Sequence, residues 1–213
     1  MKTVCIVPIK KKSSRVKRKN FKKINRVPLY KITLKKVKNC KFDEVYVDTD
    51  SQEIKKFCVK NKIKVIDRIK RLALDSANGN DLLNYHSLII KADLYFQIFI
   101  TSPLLSKKSI NECIAFLKKN KKFDSILTCK KIFSWFWFKE KPINYKPQKL
   151  PRSQDALPII QETTGLYGIR RNALIKNKCR IGKKPYFFEV SNSESLDLDN
   201  YEDFKILKSY VKK

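Results

Sequence analysis

Val4-Cys5-Ile6-Val7-Pro8-Ile9-Lys10-Lys11-Lys12-Ser13-Ser14-Arg15-Val16-Lys17-Arg18-Lys19-Asn20 opens on an unbroken apolar run and passes into a cationic, polar stretch. A short apolar run of this kind predicts a strand buried on both faces, as in a parallel sheet. The residues that follow repeat the theme. Pro28 opens a helical pattern carried by Leu29, Ile32, Leu34 and Val37. Val45-Tyr46-Val47 reads as a second strand, ending at Asp48-Thr49-Asp50. Ile54, Phe57 and Cys58 share a helix face, and Ile63 to Ile66 form a third strand. Asn78-Gly79-Asn80 is a turn before an apolar helix from Leu82 to about Ala92. Leu94 to Ile100 is a strand stopped by Thr101-Ser102-Pro103. Ile110, Cys113, Ile114 and Leu117 recur at helical spacing before a strand at Ser125 to Thr128. Strands alternating with helices over about 130 residues predict an α/β fold, a mostly parallel sheet with helices on both faces.

The pattern then changes. Residues 131–160 carry aromatics, Pro142, Pro147, Pro151 and Pro158 and little periodicity, which reads as an inserted arm. Strands follow around Leu166 to Ile169 and Tyr186 to Val190. A closing helix carries Phe204, Leu207, Tyr210 and Val211.

At 213 residues with 42% hydrophobic content, the chain can bury a core, which excludes wholesale disorder. The net charge of +29 suits a nucleic-acid binder or an enzyme that handles polyanions. Nine arginines against forty lysines, however, fit a solvated lysine-rich surface better than a phosphate-reading face. No RNA-recognition motif, zinc finger or recognition-helix pattern is present, so nucleic acid is not the expected partner. The six cysteines (Cys5, Cys40, Cys58, Cys113, Cys129 and Cys179) show no zinc or redox spacing, which suits a reduced, cytoplasmic protein. The N-terminus does not read as a signal peptide, and no run approaches the ~20 apolar residues of a membrane span.

Charge is unevenly placed. Met1 to Phe42 holds sixteen Lys or Arg and no acid, whereas Ser191 to Phe204 holds Glu194, Asp197, Asp199, Glu202 and Asp203 and no base. The loop Pro8–Asn20 follows the first strand, and ligands of open α/β sheets bind at the carboxyl ends of strands. It is read equally well as a phosphate loop or as a lysine-rich surface loop. No Walker or G-x-G-x-x-G pattern occurs. On an extended segment Asp197 and Asp199 point the same way and could share one hard cation such as Mg²⁺. Acids complementing a helix N-terminus are the alternative. His86, the sole histidine, lies in an apolar helical stretch and reads as a core residue.

Taken in order, these pieces resemble the acylneuraminate cytidylyltransferase family. Its opening P-A-R-G-G-S-K-x-[IL]-P-x-K-N loop corresponds to Pro8–Asn20, and its V-S-T-D strand end to Val47-Asp48-Thr49-Asp50. Its R-P-x-x-L-A-x-D-[TS] segment corresponds to Arg68, Leu72, Ala73, Asp75 and Ser76, and its T-S-P-L to Thr101-Ser102-Pro103-Leu104. Its R-x-Q element is Arg152-Ser153-Gln154, followed by Glu162-Thr163-Thr164-Gly165-Leu166-Tyr167, and its closing D-[IL]-D is Asp197-Leu198-Asp199. A branch acting on the eight-carbon acid Kdo matches less well at Thr101-Ser102-Pro103.

The resemblance implies one Rossmann-like nucleotidyltransferase domain over 1–213, with a dimerisation arm at about 131–163. It implies transfer of CMP from CTP to a nonulosonic, sialic-acid-like sugar acid, with pyrophosphate released, in a homodimer. By position, Pro8, Lys10, Ser13, Arg15, Lys19, Asn20, Arg68 and Ser76 would hold the nucleotide, with Lys10, Arg15 and Lys19 supplying the catalytic charge. Arg152, Gln154 and Tyr167 would face the sugar, and Asp197 and Asp199 would bind Mg²⁺. Several positions depart from the pattern. Lys11 and Lys12 replace the two loop glycines, which predicts an altered loop path or limited closure. Lys10 replaces an arginine, Ser14 a lysine and Leu105 another arginine, and Phe99 stands where many members carry Gln. A relative with altered chemistry is therefore the alternative expectation.

Overall fold

The computed structural model describes residues 1–211. Eleven strands form: β1 (Thr3–Ile9), β2 (Lys23–Ile24), β3 (Val27–Pro28), β4 (Glu44–Thr49), β5 (Lys64–Asp67), β6 (Leu94–Ile98), β7 (Ser125–Ile132), β8 (Trp137–Phe138), β9 (Lys141–Pro142), β10 (Ile159–Arg170) and β11 (Pro185–Glu189). Six α-helices accompany them: α1 (Leu29–Lys38), α2 (Gln52–Lys60), α3 (Gly79–Ile89), α4 (Lys107–Lys119), α5 (Arg171–Asn177) and α6 (Tyr201–Val211). The central sheet has seven strands in the order β11-β7-β10-β6-β1-β4-β5. Every pairing in it is parallel except the two made by β10.

Alternation along β1 explains the two-sided burial. Cys5, Val7 and Ile9 face a core shared with Leu34 of α1, Ile54 of α2 and Ile114 of α4. Val4 and Ile6 face the opposite core, with Leu83 of α3 and Leu174 of α5. The predicted α/β architecture, with helices on both faces of a mostly parallel sheet, is what the chain adopts.

The differences have local causes. The strand expected at Leu166 to Ile169 is the end of a twelve-residue strand that runs antiparallel to its neighbours. Because β7 extends to Ile132 and β10 starts at Ile159, the irregular arm between them spans 133–158. Helix α3 starts at Gly79 rather than Leu82 because Asn78 and Asp81 form a reciprocal capping box, satisfying the amides of the first turn. The seven-residue α5 is too short to show a period, and it ends at Lys178 in the left-handed region (φ 53°). All six cysteines are free. Among the described residues no helix is long and apolar enough to cross a membrane.

The topology also places a cleft. From β1 the chain moves outward through β4 and β5, then crosses back to β6 on the other side of β1. The reversal of strand order between β1 and β6 leaves a crevice at their carboxyl ends, the place where open α/β sheets take ligands.

Candidate active site

That crevice is lined by Pro8, Lys10, Ser13, Arg15, Lys19, Asn20 and Arg68, together with residues following β5 and β6. The sequence-derived nucleotide set thus converges on one cleft, except for Ser76, which is exposed and lies off its wall although Asp75 and Ala77 line it. The loop is closed on itself by Asn20, whose side-chain amide donates to the Lys10 carbonyl at 2.6 Å. Lys10 pairs with Asp75 across the cleft. Lys11 and Lys12 are not among the residues with positive φ, so glycine's extra freedom is not required there. The left-handed residue of this loop is Arg18 (φ 54°).

A second cleft adjoins the first. Asp197, Asp199, Lys130, Glu162, Thr163 and Thr164 contribute to its wall. Asp197 and Asp199 flank Leu198, which is fully buried in a small core with Val16, Ile24, Leu29, Phe204 and Leu207. The alternation of an extended segment therefore turns both carboxylates toward the cleft. The shared core also sets the register between the loop and the acids. Val16 and Leu198 belong to the same small core, and Arg15 beside Val16 meets Asp199 at 2.7 Å, with Lys19 at 3.5 Å from the same carboxylate. Both side chains of the Arg15–Asp199 pair are substantially exposed, so its contribution to stability is small. It marks where the two charge clusters meet. Hydrogen bonds tie the acids to the loop after β6: the Leu198 amide donates to the Thr101 carbonyl at 2.8 Å, and the Ser102 hydroxyl to the Asp197 carboxylate at 3.4 Å.

The remaining C-terminal acids do the helix-terminus work. Asp203 accepts from the Asn200 amide at 2.8 Å while Asn200 accepts from the Asp203 amide at 3.1 Å, which caps α6. Glu194 accepts from the Ser106 amide (2.9 Å) and the Ser109 hydroxyl (2.6 Å) at the start of α4. Burial alone would raise its carboxyl. The hydrogen bonds from Ser109, Ser106 and Ser191 outweigh that and hold it at about 2.

Of the residues expected to face a sugar, Tyr167 is buried and is on the wall of neither cleft. Its hydroxyl donates to Glu162 at 2.7 Å, and the Arg180 guanidinium lies 3.6 Å from its ring centroid. Burial pushes its phenol up, against the pull of the Arg180 charge. Arg152 and Gln154 sit on the exposed arm, outside both clefts, and Arg152 pairs with its neighbour Asp155 at 2.7 Å. Sequence reasoning did not single out Lys130, Arg180 or Thr164. Lys130 is one lysine among forty, and Arg180 follows an unmarked loop. Thr164 was visible only as part of a motif. It is left-handed (φ 51°), a strained state for a β-branched residue, and its buried hydroxyl has no partner among the described residues. It sits where the register of β10 on β7 shifts, between Glu162 and Tyr167.

One cleft lined with lysine and arginine at a topological switch point, beside a second bearing two carboxylates, suits a polyphosphate and a second substrate held side by side. The chain also resembles known proteins. The Cytidylyltransferase family matches residues 4–212. N-acylneuraminate cytidylyltransferase A of Danio rerio is 27% identical, covering 91% of this chain and 47% of that protein. Post-translational flagellin modification protein B of Campylobacter coli is 24% identical, covering 98% of this chain and 94% of that protein. The chain thus spans about half the length of the first relative and nearly all of the second. A solved CMP:2-keto-3-deoxy-manno-octonic acid synthetase complexed with CTP has the same fold, with a TM-score of 0.74 at 16% identity over 100% of this chain and 99% of that one. With a basic loop, an Asp-Leu-Asp segment and a family match that runs nearly end to end, this chain belongs to the cytidylyltransferase family.

Proposed function

We propose that the chain transfers CMP from CTP to a nonulosonic sugar acid. The observation that carries this reading is the meeting of Arg15 and Lys19 with Asp199 at the junction of the two clefts. The triphosphate would lie in the first cleft, along Lys10, Ser13, Arg15 and Lys19. Lys10 would leave Asp75, and Arg15 would leave Asp199, as phosphate oxygens replace the carboxylates. The sugar acid would occupy the second cleft. Its anomeric hydroxyl gives up a proton to solvent water, and that oxygen forms a bond to the α-phosphorus. The bond to the β-phosphate bridging oxygen breaks, and pyrophosphate leaves. The cationic side chains neutralise charge on the transferring and leaving groups, which is most of what such a transfer demands of a protein.

Asp197 and Asp199 fit Mg²⁺: two carboxylates share one cleft, and this ion takes one or two of them together with substrate phosphates and water. Among the described residues no cluster of three or more metal-ligating side chains exists, so phosphates and water would complete the shell. Bound there, the ion would neutralise phosphate charge and orient the polyphosphate.

A nonulosonic acid is favoured over other acceptors by the names of the relatives most similar in sequence, several of which are N-acylneuraminate cytidylyltransferases. The arm at 133–158 exposes Trp135, Trp137 and Phe138, which suits a contact with a second copy. Arg152 and Gln154 would reach a sugar only if such an arm covers a cleft. Melting-temperature shifts with each of the four nucleoside triphosphates and Mg²⁺ test the nucleotide assignment. The expected result is a shift with CTP that exceeds the other three, and equal shifts with all four would count against it.

A further inference from the structure

The first cleft has a buried support in His86, a residue that the family motifs quoted above do not include and the proposed chemistry does not use. Arg68 lines the cleft, yet its side chain is only 4% exposed. Its Nε donates to Asp48 Oδ1 at 2.9 Å, and an Nη2 hydrogen goes to the Asp48 carbonyl at 3.1 Å. The other carboxylate oxygen, Oδ2, meets His86 Nε2 at 2.8 Å. His86 comes from α3 and Asp48 from the end of β4, opposite Pro8 of β1, and both are essentially inaccessible. Burial pushes the Asp48 carboxyl up, but the His86 hydrogen bond and the Arg68 charge outweigh it and hold it below the usual range.

A buried charged set of this kind is seldom a net gain in stability over apolar packing. Here it also leaves His86 Nδ1 without a partner among the described residues. What it does achieve is orientation. A carboxylate accepting at Oδ2 fixes the tautomer with the proton on Nε2. Asp48 is then held from both sides, and a guanidinium with two of its five N–H groups committed cannot swing. The N–H groups left over face a fixed direction.

We propose that His86 is a positioning residue for nucleotide binding: through Asp48 it fixes the Arg68 fork that the first cleft presents to the triphosphate or base. This rests on the nucleotide reading of that cleft. His86 acts on affinity rather than on the chemical step, because it touches neither the reacting atoms nor their neighbours.

His86 is the only histidine, so its imidazole gives one unambiguous nuclear magnetic resonance signal in the intact, histidine-labelled protein. Titration with CTP and Mg²⁺, without sugar, should move that signal and saturate with the CTP-induced rise in melting temperature. His86→Leu should raise KM for CTP on the order of 10-fold while kcat stays within about threefold. His86→Gln, whose amide can still donate to Asp48, should recover most of that loss. In an Arg68→Met background, His86→Leu should add less than about twofold, as coupled residues are non-additive. A wild-type protein whose melting temperature rises with CTP while the imidazole signal stays put would overturn the proposal. So would additive effects in the double variant. If the melting temperature never responds to CTP, the nucleotide reading fails and this inference falls with it. Should His86→Leu not fold, the titration and the Gln variant still decide.

Discussion

Lys19 Nζ donates to the Leu198 carbonyl at 2.6 Å, joining residues 179 positions apart. The same ammonium lies 3.5 Å from Asp199. One buried bond thus fixes the basic loop after the first strand to the acidic segment before the last helix, and the small core that Val16 and Leu198 share backs it.

Leu198 should therefore matter for geometry as well as stability. Leu198→Ala removes a fully buried side chain, a change that costs about 2–5 kcal/mol. It should also lower turnover at temperatures where the protein remains folded, because Asp197 and Asp199 lose their register against Arg15. Denaturant unfolding and activity on the same sample check both effects. Full activity in the folded variant would count against the coupling.

Lys11 and Lys12 occupy ordinary backbone conformations, so restoring glycine should bring no benefit. The double variant Lys11→Gly/Lys12→Gly should turn over no faster than the parent, since Lys12 also lines the first cleft. It should be less stable by about 0.4–1 kcal/mol per position, through greater freedom of the unfolded chain. A large gain in turnover would show that the lysines limit loop closure.

Thr164→Gly should do the opposite. Relieving a left-handed β-branched residue should stabilise the protein by roughly 1–3 kcal/mol and raise its melting temperature. Because Thr164 lines the second cleft, the same variant should weaken handling of the acceptor while leaving the CTP-induced melting shift intact. Loss of the CTP shift would mean that the two clefts are not separate subsites.

Glu194 makes an acid-labile clasp. Its carboxyl is held at about 2 in the folded state, below the ordinary carboxylate value of about 4.3. The stability it contributes is present above about pH 4.3 and is lost as pH falls toward 2. The melting-temperature difference between the parent and Glu194→Gln should be largest near neutral pH and close over that window. A constant difference across the window would contradict the assignment.

Much of this was legible in the sequence. The apolar run Val4–Val7 and the helix periods gave the α/β layers, and the order of short motifs brought most of the nucleotide set to one cleft. What the sequence could not show was the direction of β10, because apolar alternation is the same for parallel and antiparallel strands. It could not show that Asp203 and Glu194 cap helices while Asp197 and Asp199 do not, since spacing alone does not separate the two uses. Arg180 and Lys130 were hidden by a cationic background. His86 reads as a core residue, which it is, but nothing in the sequence pairs it with Asp48 at the end of β4.

The most direct test of the account is pyrophosphate release from purified protein with Mg²⁺, each of the four nucleoside triphosphates and a small panel of nonulosonic acids. Release should require CTP together with one of these acids, and Asp199→Asn should nearly abolish it while the protein stays folded. Release that Asp199→Asn leaves at full rate would contradict the metal assignment. Silence across the panel, with no response of the melting temperature to CTP, would contradict the proposed transfer itself.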